Sequence, residues 1–176
     1  MANYQTLQSE AIYQGRAFRV RRDQVRLPDG HISRLDIVEH VGAVTILPLD
    51  DQGRILFVRQ YRHPAAQELL ELPAGTLEPG EPPELCARRE IREEVGQAAG
   101  KIRKLGEFFL APGYSTEYMH VFLATELHPD PLPSDHDEFL SVEAYPHKEV
   151  LQMVERGEIQ DAKTLAALML AWCWLT

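Results

Sequence analysis

Residues 75–96 read GTLEPGEPPELCARREIREEVG, and this stretch decides the interpretation of the whole chain. Two prolines stand where a helix would begin, and Gly96 stands where it would end. Proline is favoured in the first turn of a helix and glycine directly after the last, so the pattern predicts a helix over residues 82–95. Apolar residues that can face a core recur at every fourth position: Ala87, Ile91 and Val95.

The same helix has an acidic face. Glu90 and Glu94 lie four residues apart, and like charges at this spacing destabilise a helix by about 0.2–0.5 kcal/mol. Glu93 lies three residues from Glu90, and Glu81, just before the helix, can approach the same face. Clustered carboxylates form a hard oxygen-ligand site suited to Mg²⁺ or Mn²⁺, ions that also bridge phosphate oxygens.

A surface helix held by ion pairs is the alternative interpretation. Glu84 can pair with Arg88, and Arg89 with Glu93, at helical spacing. This interpretation explains the mixture of charges but gives no reason for the Glu90 and Glu94 pair. Spacing alone does not decide between the two.

Length and composition limit the class of protein. The chain has 176 residues, enough for one domain with at most a small addition, and its 44% hydrophobic and 26% charged residues are typical of a soluble globular protein. Its net charge is −9, from 27 acidic and 18 basic residues, which argues against binding nucleic acid through the overall field.

Cysteine usage and apolar runs predict the compartment. Cys86 and Cys173 match no zinc-binding spacing and favour a reduced chain without disulfides. No apolar segment typical of a signal peptide stands at the start. The longest apolar run, residues 165–175, is short of the roughly 20 residues that cross a bilayer as a helix. We therefore expect a cytoplasmic protein that binds neither membranes nor nucleic acid.

Strand patterns precede and surround the helix. Residues 1–40 read as β structure, and the apolar residues near 20 and near 25 alternate in opposite parity, which predicts a bulge or a break between them. This segment is too small to bury a core alone, so it must pack on the rest of the chain or on a second copy. The other predicted elements are strands at 43–49, 55–60, 102–110, 118–127 and 139–145, and helices at 147–156 and 162–175, the last with Asp161 as its N-cap. This order predicts a layered α/β or α+β fold.

The full pattern of residues 75–96 resembles the Nudix box: Gly75, five residues, Glu81, seven residues, then Arg-Glu-Ile-Arg-Glu-Glu-Val-Gly at 89–96. The family has an aliphatic residue after the last glycine, where this chain has Gln97, at a position with a packing role. The resemblance implies an α/β fold: the Nudix α/β/α sandwich with a mixed sheet over residues 41–176. It also implies an N-terminal antiparallel β extension over residues 1–40.

Roles for individual residues of the box follow from the resemblance. The implied metal ligands are the Ala74 carbonyl and the side chains of Glu81, Glu90, Glu93 and Glu94. The implied cofactor is Mg²⁺, with Mn²⁺ as the alternative. Arg89 would orient the acids through ion pairs, and Glu93 would be a further ligand or a partner of water.

Two segments outside the box resemble the ADP-ribose pyrophosphatase branch of the family. Residues 110–117, LAPGYSTE, are similar to its Ser-Pro-Gly marker with a following Glu, although Ala111 replaces the serine. Pro112 and Gly113 would contact substrate, and they also suit a simple turn. Residues 58–62, VRQYR, are similar to the same branch, in which the second arginine, here Arg62, reaches the diphosphate of the substrate. An arginine fork binds phosphate oxygens bidentately, whereas exposure to solvent is the ordinary expectation for an arginine after a strand.

The N-terminal extension is typical of the same branch. There it forms a homodimer, often exchanged between subunits, and supplies residues for the adenine and the terminal ribose. Phe18, by stacking, and Arg34 are the candidate contacts, and Phe18 is equally suited to an ordinary core position.

The resemblance also implies a general base on a loop after the last long strand, here SDHDEF at 134–139. Glu138 is the candidate, because an acid before an aromatic residue at the start of a strand resembles the catalytic position. Asp135 and Asp137 are rivals, His136 ranks below Glu138, and a solvated acidic loop is the alternative.

The implied function is Mg²⁺-dependent hydrolysis of ADP-ribose to AMP and ribose 5-phosphate. The alternative substrates are other nucleotide sugars, such as GDP-mannose or ADP-glucose. A non-catalytic Nudix module that senses ADP-ribose is a third reading, but such modules commonly lose box acids and this chain retains them all.

Overall fold

The structure is a computed structural model that describes residues 3–134 and 139–175. In these residues the strands are β1 (Gln5–Gln14), β2 (Arg19–Arg26), β3 (Ile32–Glu39), β4 (Ala43–Pro48), β5 (Arg54–Arg62), β6 (Gln67–Glu71), β7 (Ala74–Thr76), β8 (Gln97–Phe109), β9 (Tyr118–Pro129) and β10 (Leu140–Pro146). The α-helices are α1 (Pro83–Glu94), α2 (His147–Glu155) and α3 (Ala162–Leu175).

These elements form two compact units. The first takes in the described parts of Met1–Gly42 together with Phe109–Tyr118, and the second those of Ala43–Phe108 with Met119–Thr176. The segment predicted as an N-terminal extension, residues 1–40, lies within the first unit.

The first unit is built on an antiparallel sheet in the order β1-β2-β3, which confirms the predicted antiparallel extension. The bulge predicted within β2 is wrong, because β2 pairs with β3 in one register along its whole length. The irregular strand is β1, with two register shifts. Val20 and Val25 lie on opposite faces of an unbroken β2, and their parity therefore reflects a sheet that places apolar residues on both faces.

The second unit contains a mixed four-stranded sheet, β7-β4-β9-β8, in which β4 runs parallel to β9 and antiparallel to β7. A separate antiparallel sheet has the order β10-β5-β6. Every residue of β4 is buried, as the uninterrupted apolar run predicts for a central strand.

Alternate side chains of β4 enter two apolar cores. Val44 and Ile46 belong to a core that includes Ile91 of α1, whereas Leu47 belongs to a core that includes residues of α2 and α3. Helices thus cover both faces of the β structure, and the predicted α/β/α sandwich with a mixed sheet is confirmed.

The helix limits follow local signals. α1 follows Pro82 and ends before Gly96, whose φ of +71° lies in the left-handed region that glycine adopts without strain. Asp161 caps α3 as predicted, because its carboxylate accepts a hydrogen bond from the Thr164 backbone N–H at 3.0 Å. Within the described residues, no helix is both long enough and apolar enough to cross a bilayer.

Candidate active site

Two acidic residues of α1 point inward. Glu90 and Glu94 are each only 7% exposed and share the buried side of the helix with Cys86, Ala87 and Ile91. Burying an ionised carboxylate is unfavourable unless other groups compensate its charge. These two residues therefore differ from the solvated face expected of a surface helix, while Glu84 and Arg88 do form the exposed ion pair of that interpretation.

Strand β7 brings backbone against this acidic face. The Ala74 N–H donates a hydrogen bond to Glu94 Oε2 at 2.9 Å. At Gly75, a β-carbon would fall 1.8 Å from the carboxyl carbon of Glu90, so only glycine leaves room for that carboxylate. The pairing of Gly75 with Val44 of β4 fixes the strand in this position. The resemblance names Ala74 as a metal ligand and Gly75 as the first residue of the box. Both residues lie directly beside the two buried acids.

Arg89 links three acids of the box. Its Nε and Nη2 donate to Glu81 at 3.1 and 3.0 Å, and its Nη1 donates to Glu90 at 2.6 Å and to Glu93 at 2.8 Å. The hydrogen bonds from Arg89 lower the pKa of Glu81 to about 2, despite the opposing effect of burial. The same pairing with Glu81, ahead of the attraction of Glu90, raises the pKa of Arg89. Arg89 is therefore the cation that joins these three carboxylates.

The chemistry of this donor set suits a hard cation. Glu81, Glu90 and Glu93 pair with Arg89, and Glu94 is buried on the same helix as Glu90. These four carboxylates offer oxygen ligands of the kind that Mg²⁺ and Mn²⁺ prefer. Within residues 3–134 and 139–175, no three acidic, histidine or cysteine side chains converge into a ready group of metal ligands. Arg89 occupies a position among three of the four acids.

Arg62 lies at the end of β5 and binds a buried acid. Its Nε and Nη2 donate to the two carboxylate oxygens of Glu71, both at 2.8 Å, in the bidentate geometry typical of arginine. The hydrogen bonds to Glu71 raise the pKa of Arg62, and the negative charges of Glu94 and Asp161 act in the same direction. Glu94, on the acidic face of α1, is therefore close enough for its negative charge to act on Arg62.

Lys163 joins this pair from α3. Its Nζ binds Glu71 Oε2 and also lies 2.9 Å from Asp161 Oδ2. Burial favours the neutral form of Glu71, but the hydrogen bonds and charges of Arg62 and Lys163 outweigh it and lower the pKa of that carboxyl. Sequence analysis missed Lys163. Its position after a helix cap was the available signal, but its partner lies 92 residues away.

The other predicted substrate contacts lie in the first unit. Pro112 and Gly113 form an exposed turn closed by a hydrogen bond from the Tyr114 N–H to the Ala111 carbonyl at 3.1 Å. Arg34, on β3, lines a shallow polar depression of the antiparallel sheet. Phe18 is 43% exposed, with its ring centroid 6.1 Å from that of Tyr13, so it is not a buried core residue of the chain.

The candidate general base, Glu138, lies outside the described residues, as do Asp135, His136 and Asp137. The described residues before them are bound to the end of α1. The Ser134 hydroxyl donates to the Glu93 carbonyl at 2.7 Å, and the Leu132 N–H donates to the Arg92 carbonyl at 3.1 Å. After them, Leu140 pairs with Gln60 on β5, two residues before Arg62.

The sandwich fold, the buried acids of α1 and the glycine beside them define a known class of hydrolase domain. The chain belongs to the NUDIX domain family, whose pattern matches residues 39–168. Residues 4–33 match a second pattern, the nucleoside diphosphate sugar hydrolase N-terminal domain. The resemblance inferred from residues 75–96 is thus confirmed.

Named relatives extend over most of the chain. It is 41% identical to an ADP-ribose pyrophosphatase from Bacillus subtilis, over 93% of this chain and 89% of that protein. It is 44% identical to an ADP-ribose pyrophosphatase from Mycobacterium tuberculosis, over 95% of this chain and 82% of that protein. A GDP-mannose pyrophosphatase from Yersinia pestis is 38% identical over 74% of this chain and 70% of its own length.

A solved structure is similar in fold along nearly the whole chain. The crystal structure of an ADP compounds hydrolase superposes with a TM-score of 0.88 at 26% identity, covering 98% of this chain and 94% of that one. The likeness therefore includes both compact units.

Proposed function

We propose that this protein is a Mg²⁺-dependent hydrolase that cleaves the diphosphate of ADP-ribose to AMP and ribose 5-phosphate. One observation carries the proposal: the complete acidic face of α1, packed on Gly75, belongs to a chain that is similar over more than 90% of its length to two ADP-ribose pyrophosphatases. The proposed metal ligands are the Ala74 carbonyl, Glu81, Glu90, Glu93 and Glu94, with Mn²⁺ as an alternative to Mg²⁺.

The reaction adds water across the phosphoric anhydride. The water oxygen forms a bond to one phosphorus, the bond from that phosphorus to the bridging oxygen breaks, and the two phosphate monoesters leave. A bound divalent cation supplies positive charge to the phosphate oxygens and lowers the pKa of coordinated water.

Residues of the chain supply orientation and proton transfer. Arg62 would hold the diphosphate through Nη1, because Glu71 binds the Nε and Nη2 edge of its guanidinium and Nη1 is not part of that bidentate pair. Arg89 would hold Glu81, Glu90 and Glu93 in position through its ion pairs. Glu138 would accept a proton from the attacking water, with Asp135 and Asp137 as rivals and Glu93 as the candidate on the helix.

Hydrolysis of another nucleotide sugar is the second candidate. It is favoured by the 38% identity to a GDP-mannose pyrophosphatase, which extends over a smaller share of the chain than the ADP-ribose relatives do. ADP-glucose is a further alternative with the same diphosphate. A non-catalytic sensing module is disfavoured, because this chain retains every acid of the box.

We further propose a cytoplasmic homodimer formed through residues 1–40, with Phe18, Arg34, Pro112 and Gly113 contributing to the substrate site. Every residue of β1 is exposed, including Leu7, Ile12 and Tyr13. A long strand with exposed apolar side chains is a surface that a second chain can cover. The free state of Cys86 and Cys173 supports a reducing compartment.

A substrate panel tests the proposed activity. ADP-ribose, ADP-glucose and GDP-mannose are incubated with the protein and either Mg²⁺ or Mn²⁺, and the products are separated by chromatography. We expect AMP mainly from ADP-ribose. Faster cleavage of GDP-mannose would transfer the assignment to the second candidate, and cleavage of no substrate would support the sensing module.

A further inference from the structure

A buried network of two acids and two cations lies where β6 meets the start of α3. Glu71 is 1% exposed, and its carboxylate is shared by Arg62 of β5 and Lys163 of α3. Arg62 Nη2 and Lys163 Nζ both bind the same oxygen, Oε2. One carboxylate, that of Glu71, therefore binds both Arg62 and a second cation, Lys163.

The start of α3 is fixed firmly against the strand that contains Glu71. Thr164 is completely buried, and its hydroxyl accepts a hydrogen bond from the Leu72 N–H at 2.8 Å and donates one to Asp161 Oδ2 at 2.6 Å. The same Asp161 oxygen lies 2.9 Å from Lys163 Nζ. Lys163 therefore has a defined position between two acids, and its side chain is only 12% exposed.

The network around Lys163 contains equal numbers of positive and negative charges. Arg62 and Lys163 contribute two positive charges, and Glu71 and Asp161 contribute two negative ones. Without Lys163, one positive charge would face two carboxylates, and Glu94 already adds a further negative charge to the surroundings of Arg62. A dianionic diphosphate would then meet an arginine whose charge is more than compensated.

We propose that Lys163 is a positioning residue for substrate binding, which shares the Glu71 carboxylate so that the charge of Arg62 remains available to the diphosphate. This inference rests on the proposed function. It predicts that Lys163 acts on affinity rather than on the chemical step, because its ammonium group is bound between Glu71 and Asp161 and would act on the diphosphate through Arg62.

The test is a kinetic double-mutant cycle on the full-length protein. Lys163→Met is expected to raise KM for ADP-ribose about tenfold while kcat changes by less than about threefold, the pattern of lost uniform binding. In an Arg62→Met background, Lys163→Met should have little further effect, because the two residues act through one carboxylate. Lys163→Arg, which keeps the charge, should restore most of the affinity. Lys101→Met is the matched control, because Lys101 pairs with Glu126 at an exposed site.

A binding measurement separates this inference from the proposed function. Calorimetric titration with α,β-methylene ADP-ribose should show affinity reduced about tenfold in Lys163→Met and nearly unchanged in Lys101→Met. Wild-type protein that binds this analogue but cleaves no substrate of the panel overturns the proposed function, and the titration still decides the role of Lys163. Equal affinity in wild type and Lys163→Met, or independent effects of Lys163 and Arg62, overturns the inference. If Lys163→Met does not fold, Lys163→Gln replaces it in both measurements.

Discussion

The Glu90 carboxylate lies against the backbone of Gly75, where a β-carbon would come within 1.8 Å of its carboxyl carbon. This contact joins the acidic face of α1 to strand β7. The conformation at Gly75 needs no left-handed φ, so the requirement for glycine comes from close approach alone. Gly75 and Glu90 stand at a fixed spacing in the box, and in the structure they pack directly against each other.

Gly75→Ala should therefore disturb both stability and catalysis. The added methyl group must displace the Glu90 carboxylate or the strand, and overpacking of this kind typically costs about 1–3 kcal/mol. Urea unfolding should show that loss. Initial rates with ADP-ribose and Mg²⁺ should fall by at least about a hundredfold, because a proposed metal ligand has moved.

A second substitution checks the cause. In a Glu90→Ala background, the colliding atoms are absent, so Gly75→Ala should destabilise the protein much less than it does in the wild-type background. Equal destabilisation in both backgrounds would contradict the packing explanation.

Local signals were sufficient for much of this architecture. The prolines and Gly96 placed α1 within one residue at each end, and Asp161 marked the start of α3, because caps and breakers act on neighbouring backbone. The buried strand β4 was recognisable from its apolar run alone. The acids of α1 were recognisable because spacing of three and four residues determines which side chains share a helix face.

Contacts between residues far apart in the chain could not be predicted from the sequence. Nothing near Lys163 indicates that its partner is Glu71, since the contact depends on how α3 meets β6. The alternation of apolar residues also led to the wrong prediction of a bulge in β2, because its sheet places apolar side chains on both faces. These features depend on tertiary packing, which overrides local pattern.

Glu90→Gln and Glu94→Gln should each reduce kcat by orders of magnitude while the protein still folds. Each amide keeps the shape of the side chain but removes a negative oxygen ligand for Mg²⁺. Circular dichroism should remain that of the wild type. Glu84→Gln, at the exposed ion pair with Arg88 on the same helix, is the control and should retain near-normal activity. Normal turnover in either Glu90→Gln or Glu94→Gln would remove that residue from the proposed metal site.

Acid stability should report the pairing of Glu81 with Arg89. The pKa of Glu81 falls from 4.5 to about 2 on folding, so the unfolded chain binds the proton more tightly. The resulting stabilisation is present in full above about pH 4.5 and is lost as the pH falls towards about 2.

Urea unfolding across this range gives the measurement. Wild type should be more stable than Glu81→Gln near neutral pH, and the difference should shrink as the pH falls below about 4.5. Glu78→Gln is the matched control, because Glu78 bonds to Glu81 through its backbone: its N–H donates to Glu81 Oε2 at 3.0 Å and its carbonyl accepts from the Glu81 N–H at 2.9 Å. A difference between wild type and Glu81→Gln that does not depend on pH would show that the pairing leaves the pKa of Glu81 unchanged.

The full chain should be a homodimer in solution. The apolar side chains of β1 are exposed in the part of the chain that the structure describes, and burial against a second copy would remove them from water. Light scattering at micromolar concentration should give twice the 20.0 kDa mass of one chain. A fully active monomer would contradict a substrate site shared between subunits.

Separating the general base from the metal ligands requires substitutions in the segment that follows Ser134. If Glu138 accepts the proton of the attacking water, Glu138→Gln should lower kcat by about 10²–10⁴-fold and leave KM and the apparent affinity for Mg²⁺ little changed. If Glu138 instead holds a metal, that affinity should fall and excess Mg²⁺ should partly restore the rate.

Asp135→Asn and Asp137→Asn are the controls, since either carboxylate could act in the same position. A larger loss at Asp137 would transfer the assignment to that residue. Full activity in all three variants would move the base to Glu93, whose backbone carbonyl accepts a hydrogen bond from the Ser134 hydroxyl at 2.7 Å.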